Sequence, residues 1–467
     1  MRRPGRVATP ERADSMPEDG QPLPLHATRP AVPTIPEDRQ GFIAVLRRRD
    51  FRLLWAAQAA SQLADKFIIF TLLIVTFSIS GSASLQSVLM IAYTLPSVLL
   101  SAPAGVYADR HDKRTLMVLT NLLRAGLILL IPLLLILPGL KGQPWPLILI
   151  TLLFSSAGQV FAPAEAASIP SLVSRRQITE ATSVFMTTVI LTLVLGVPAA
   201  TLAIAFSGTD TPFFIGAGLF ALAAVLVWRV RTSLKARVAP SAAPHVLREL
   251  REGLAILRHS PALRLGLYQL AFALVVVFTI FALGPVYMVR VLHRSDQQTY
   301  LVLVPATVGL VAVAGVLGQV RTFPRAAVLV AAVFTTGTTL LLMGILPSVL
   351  DSLGHGSLLL PITVVLAFVF GCALAAILVP AFTVLQEKST DETRGRIFGG
   401  IFTVINAAVA VPLLLAGIVS DLVGVDRAVA ALGVLLLLGG ALVRGFFWQR
   451  LNVLEDEEPA ATTFSER

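Results

Sequence analysis

Gly105-Val-Tyr-Ala-Asp109-Arg110-His111-Asp112-Lys113-Arg114 is a charged loop set between two apolar stretches, 84–108 and 115–138. Half of these ten residues carry a formal charge, in a chain of 467 residues where only 14% do. A soluble domain carries about 25% charged residues. With 55% of its residues hydrophobic, this chain has too little polar surface to cover two or three soluble domains. A charged turn joining two apolar segments of about 20 residues is the pattern of a chain that leaves a bilayer and re-enters it.

The same pattern repeats on both sides of that loop. Apolar spans are expected at 53–79, 84–108, 115–138, 146–170, 179–206, 211–229, 264–289, 299–320, 326–348, 357–384, 397–420 and 428–449. Breaker residues separate them, among them Gly81 with Ser82, Pro138 with Gly139 and Gly142, Gly208 to Pro212, and Gly354 with Gly356. Twelve spans put both termini on one side. Lys and Arg counts decide which side, because cytoplasmic loops carry the excess. The loops on the side of the termini hold 31 of the 37 basic residues; the opposite loops hold only Lys141, Arg290, Arg294 and Arg427. A multi-pass protein of the inner (plasma) membrane, with both termini cytoplasmic, is expected. The net charge of +10 is then a topology record, and no basic stripe interleaved with aromatics calls for nucleic acid.

The domain reading has five parts. Residues 1–45 form a Pro-rich cytoplasmic arm expected to be disordered. Residues 46–230 make one six-helix half, 231–262 a cytoplasmic linker, 263–450 a second six-helix half, and 451–467 an acidic tail. In the linker, Leu247, Leu250, Leu254 and Leu257 fall on one helical face with Arg on the other, as in a helix lying on a membrane surface. Three matches at an offset of 213 residues support two parallel halves: Leu54-Trp55 with Leu267-Tyr268, Gly105 with Gly318, and Phe185 with Phe398.

Gly105 followed by Asp109-Arg110 and Lys113-Arg114, between the second and third of twelve spans, resembles the loop signature of the major facilitator superfamily. Arg52-Leu-Leu-Trp55 with Gln58, the stretch Phe161 to Ile178, and the stretch Pro380 to Gly399 containing Arg394, Gly395 and Arg396 are similar to the branch holding enterobactin exporters and macrolide efflux permeases. The resemblance covers 47 to about 450. It implies twelve transmembrane helices in two six-helix pseudo-symmetric halves, an all-α integral membrane protein. It also implies a gating loop at Gly105, Asp109, Arg110, Lys113 and Arg114, in which Asp109 bonds the N-terminal end of the eleventh helix near Arg396 to Gly399 in the outward-facing state. Spans 1, 4, 7 and 10 should line a central cavity, which makes Gln58, Asp65, Glu165, Tyr268, Gln269, Tyr287 and Cys372 candidate lining residues. One departure stands out: Lys66 follows Asp65 where the resemblance implies an aromatic or small residue.

Charges inside a bilayer are costly and mark function. Four lie within spans, Asp65, Lys66, Arg124 and Glu165, all in the first half. Asp65 falls near the midplane, where a desolvated carboxylate can carry a proton or meet substrate. Lys66 could instead hold it in a structural pair. By residue count Arg124 and Glu165 sit at depths that allow a structural ion pair, and Glu165 could alternatively serve as a second protonation site.

No lysine follows a glycine, so a Walker loop is absent, and no metal-ligand spacing occurs among the six histidines. The sequence therefore points away from an enzyme, with no cofactor and no metal. A secondary active transporter is expected, a monomer in the lipid bilayer exporting an amphipathic drug or siderophore by exchange with protons. A lysophospholipid or metabolite transporter of the same fold, or a non-transporting receptor or assembly subunit, are the alternatives.

Overall fold

In lipid a backbone must satisfy its own N–H and C=O groups, so each apolar stretch becomes a helix. The computed structural model describes residues 42–234, 261–319, 325–387 and 408–456, and among these it contains helices and turns but no strand. A short helix, Phe42–Arg47, leads into α1 (Arg49–Ser80), α2 (Ala83–Arg110), α3 (Lys113–Ile136), α4 (Trp145–Ala166), α5 (Ile178–Ser207) and α6 (Thr211–Trp228). After the linker come α7 (Pro261–Arg290), α8 (Tyr300–Leu317), α9 (Arg325–Ser352), α10 (Leu359–Glu387), α11 (Ala408–Val423) and α12 (Val425–Asp456). Eleven of these are long and apolar enough to cross a membrane; of the span expected at 397–420, only the portion from Ala408 lies within the described residues.

Local chemistry sets the breaks. Gly81 adopts φ 62°, a left-handed conformation that a side chain resists, and its N–H closes α1 on the Phe77 carbonyl at 2.7 Å. Asp112 caps α3 by accepting from the Thr115 N–H at 3.1 Å, so the quoted loop is a helix end, a turn and a helix start.

The two halves repeat one packing scheme six helices apart. α2 packs on α4 as α8 packs on α10; α3 packs on α6 and α4 as α9 packs on α12 and α10. Small residues make the close seams possible: a Cβ on Gly371 of α10 would run into the Ala306 carbonyl of α8. The halves touch through α5 with α8 and through α7 with α1 and α2.

Within the stretch expected as an arm, Phe42–Arg47 is helical and Val45 is fully buried in the cluster that holds Phe51 and Phe185. α12 runs through Asp456, past the boundary expected at 450. The surface helix read at 247–258 lies outside the described residues.

Candidate functional site

Asp65 sits halfway along the 32-residue α1 and is the centre of a polar cluster that three helices build. Lys66 Nζ donates to Asp65 Oδ2 at 2.8 Å and to the Tyr93 hydroxyl of α2 at 2.9 Å. Tyr93 donates to the same carboxylate oxygen, and Arg124 of α3 donates through Nη2 to Asp65 Oδ1. The Arg124 guanidinium lies against two rings that meet edge to face, 4.2 Å from the Phe154 centroid and 4.3 Å from that of Phe220, in the arrangement that favours a cation over an aromatic face. Gly196 of α5 lets α1 approach here, since a Cβ on it would stand 2.6 Å from Lys66 Cβ.

This cluster forms one wall of a cavity of ≈ 780 Å³ between the halves. Its N-half wall carries Asp65, Lys66, Tyr93, Arg124, Ser155 and Gln159. The C-half wall is almost wholly apolar, with Phe278 and Phe281 from α7, Leu310 from α8, and Phe370, Leu378 and Phe382 from α10. Pockets of about 300–1,000 Å³ that combine an apolar lining with a few polar groups are the usual form of small-molecule sites. The cavity reaches from mid-depth toward the end of the bundle where the charged loop 105–114 lies, through Ser101, Ala162 and Thr383.

The opposite end is locked. Asp421 at the end of α11 accepts from the N–H groups of Ala83 (3.0 Å) and Ser84 (2.8 Å) and from the hydroxyls of Ser82 (2.8 Å) and Ser84 (2.7 Å), all at the start of α2. Arg290 at the end of α7 bonds Asp421 at 3.0 Å and the Gly81 carbonyl at 2.6 Å. A carboxylate on a helix N-terminus, pinned by a guanidinium, thus ties one half to the other. Phe70 and Phe281 meet edge to face beneath the cavity, with centroids 6.0 Å apart.

Several expected site residues fall elsewhere. Arg124 does not pair with Glu165: it lies 11 residues into α3, about 17 Å from that helix start, whereas Glu165 is the next-to-last residue of α4. Glu165 is buried off the cavity wall, and its Oε1 meets no hydrogen-bond partner. Gln58 is buried and donates to the Phe185 carbonyl at 3.4 Å, tying α1 to α5. Tyr287 donates to the Met343 carbonyl at 2.7 Å, tying α7 to α9. Tyr268 faces outward at 66% exposure, and Gln269 and Cys372 do not line the cavity. Periodicity placed these residues on the right helices, but several of them are helix-packing groups.

The loop residues divide as well. Asp109 and Arg110 are exposed, Lys113 is buried, and Arg114 donates to the Thr232 carbonyl at 2.8 Å. Among the described residues, a Cβ on Gly105 would meet nothing within 4 Å. Arg394, Gly395 and Arg396, and with them the expected partner of Asp109, lie outside the described residues. The groups sequence reading missed are Tyr93 and the ring pair Phe154 and Phe220. A hydroxylated aromatic in mid-helix was the available signal for Tyr93; nothing in the spacing marks the two phenylalanines.

Comparison with known proteins gives one consistent answer. The family model described as Major Facilitator Superfamily matches residues 54–360. Macrolide efflux protein A of Streptococcus pyogenes is 24% identical over 388 residues, 81% of this chain and 91% of that protein. The multidrug efflux pump Tap of Mycolicibacterium fortuitum is 24% identical over 387 residues, 80% of this chain and 90% of the pump. Among solved structures, a bacterial homologue of the human lysosomal transporter Spinster, inward-facing and occupied, superposes with a TM-score of 0.64 at 13% identity, covering 88% of this chain and 98% of the other.

Proposed function

The chain belongs to the major facilitator superfamily, and from that premise we propose that it exports an amphipathic small molecule from the cytoplasm in exchange for protons, by alternating access. That it is a multi-pass membrane transporter rather than an enzyme follows from the family; direction, substrate and coupling are the proposal. The observation that carries it is the two-faced cavity, with a charged and hydroxylated wall on one half and an aromatic wall on the other. An amphipathic molecule matches both walls at once. Relatives named as macrolide and multidrug efflux pumps support the outward direction, and the 31 to 4 split of Lys and Arg supports a cytoplasmic location for the loop at 105–114.

In this reading the cavity is loaded from the cytoplasmic side while Asp421 and Arg290 keep the outer side shut. Opening outward breaks that lock, and Asp109 then makes its mirror image by bonding the N-terminal end of the eleventh helix. Asp65 is the coupling group. A proton on its carboxylate removes the charge that gathers Lys66, Tyr93 and Arg124, so α1, α2 and α3 are held together differently in the two protonation states. The test is a strain with the gene deleted, and the same strain complemented, challenged with a panel of amphipathic toxicants with and without a protonophore. Export predicts sensitivity on deletion and loss of the complemented resistance when the proton gradient collapses. Unchanged resistance and unchanged dye retention in both strains would reject it.

A further inference from the structure

Among the described residues, three charged side chains line the cavity: Asp65, Lys66 and Arg124. One carboxylate faces two cations, so the wall carries a surplus of one positive charge. Both cations already contact Asp65, but they are not equally placed. The Arg124 side chain is 5% exposed and clasped by Phe154 and Phe220, while that of Lys66 is 21% exposed. An ammonium has three N–H donors, and Lys66 uses two, on Asp65 and Tyr93. Glu165 is buried outside the cavity wall and cannot reach a ligand there. Among the described residues the C-half wall contributes no charged side chain to that balance.

Resting on the reading of the cavity as a site for an amphipathic cargo, we propose that Lys66 is its specificity-determining residue and that the cargo is an anionic amphiphile. The third N–H of Lys66 takes a carboxylate, sulfonate or phosphate oxygen, and the apolar body lies against Phe278, Phe281 and Phe382. Asp65 is shared between Arg124 and Lys66, so one positive charge stays in excess, and Lys66 is the cation that presents it to the cavity. A cationic amphiphile would meet that same charge with its own.

The experiment uses the full chain in nanodiscs of neutral lipid and three probes with one shared body, pyrenebutyrate, pyrenebutanol and pyrenebutylamine, with binding to empty nanodiscs subtracted. The acid should bind about tenfold tighter than the alcohol, the size of one charge-assisted hydrogen bond, and the amine no tighter than the alcohol. Lys66→Gln and Lys66→Met should erase the preference for the acid and Lys66→Arg should keep it. The wild-type ranking needs no variant to fold. Equal binding of all three, or tightest binding of the amine, overturns the anionic preference and leaves amphipathic transport standing; binding of none overturns both. A lysophosphatidate or a water-soluble aryl carboxylate should displace the acid probe, and which one does so separates a lipid from a free anion. Displacement by neither overturns the proposal.

Discussion

Among the described residues, the N-terminal half supplies all the charged and most of the hydroxyl side chains of the cavity alongside apolar ones from α5, and the C-terminal half supplies aromatic and aliphatic side chains with only Thr307 and Thr383 as hydroxyls, although both halves follow the same packing scheme. Among the described residues, Asp65, Lys66 and Arg124 have no charged counterparts on the facing wall, where Phe278, Phe281, Leu310, Phe370, Leu378 and Phe382 stand. A repeated fold therefore supplies the geometry while the two sequences divide the work. In the proposed mechanism the N-half selects and couples, because a change in one charge there alters several hydrogen bonds. The C-half supplies apolar contact, which is non-directional and tolerant of different shapes.

The strongest test of that division is Asp65→Asn. Removing one partner of a buried ion pair costs about 3–5 kcal/mol because the remaining charges lose their compensation, so transport in proteoliposomes should fall at least about 100-fold and thermal stability should drop; retained pH-dependent transport would show that coupling lies elsewhere. Next comes Asp109→Asn, which removes a charge worth about 1–2 kcal/mol at a helix N-terminus and should lower transport roughly tenfold with expression intact. Unchanged transport would remove the proposed latch. Phe281→Ala, on the apolar wall, should weaken binding of all cargoes about fivefold regardless of charge, since one aromatic contact is worth about 1 kcal/mol. A loss confined to one charge class would contradict the division of labour. Glu165→Gln should change transport least, because Glu165 faces neither the cavity nor a partner; abolished proton dependence in this variant would transfer the coupling role from Asp65 to Glu165.

Most of the fold was legible because membrane burial writes a coarse signal. Apolar runs with their glycine and proline breaks yielded the helices, and the matches at an offset of 213 residues pointed to the packing scheme that the two halves repeat. The site was legible only in part, since identifying a charged residue in a span does not identify its partner. A span 4 running to residue 170 puts Arg124 and Glu165 at similar depths; α4 ends at Ala166, and the difference separates them. Asp65 and Arg124 come together because α1 and α3 both pack on α6, which no spacing within one helix reveals. Tyr268 and Tyr287 show the opposite limit: both lie on the helix expected to line the cavity, yet one faces outward and the other bonds a neighbouring helix.

The central claim is that this chain moves an amphipathic molecule through the cavity between its halves at the expense of a proton gradient. The direct measurement is transport in proteoliposomes holding the purified full chain, with a pyrene amphiphile on one side and an imposed pH difference across the membrane. Counter-movement of the amphiphile and protons, dissipated by a protonophore and lost in Asp65→Asn, is the predicted result. Amphiphile movement that ignores the pH difference, or none at all in protein that binds the probe, would contradict it.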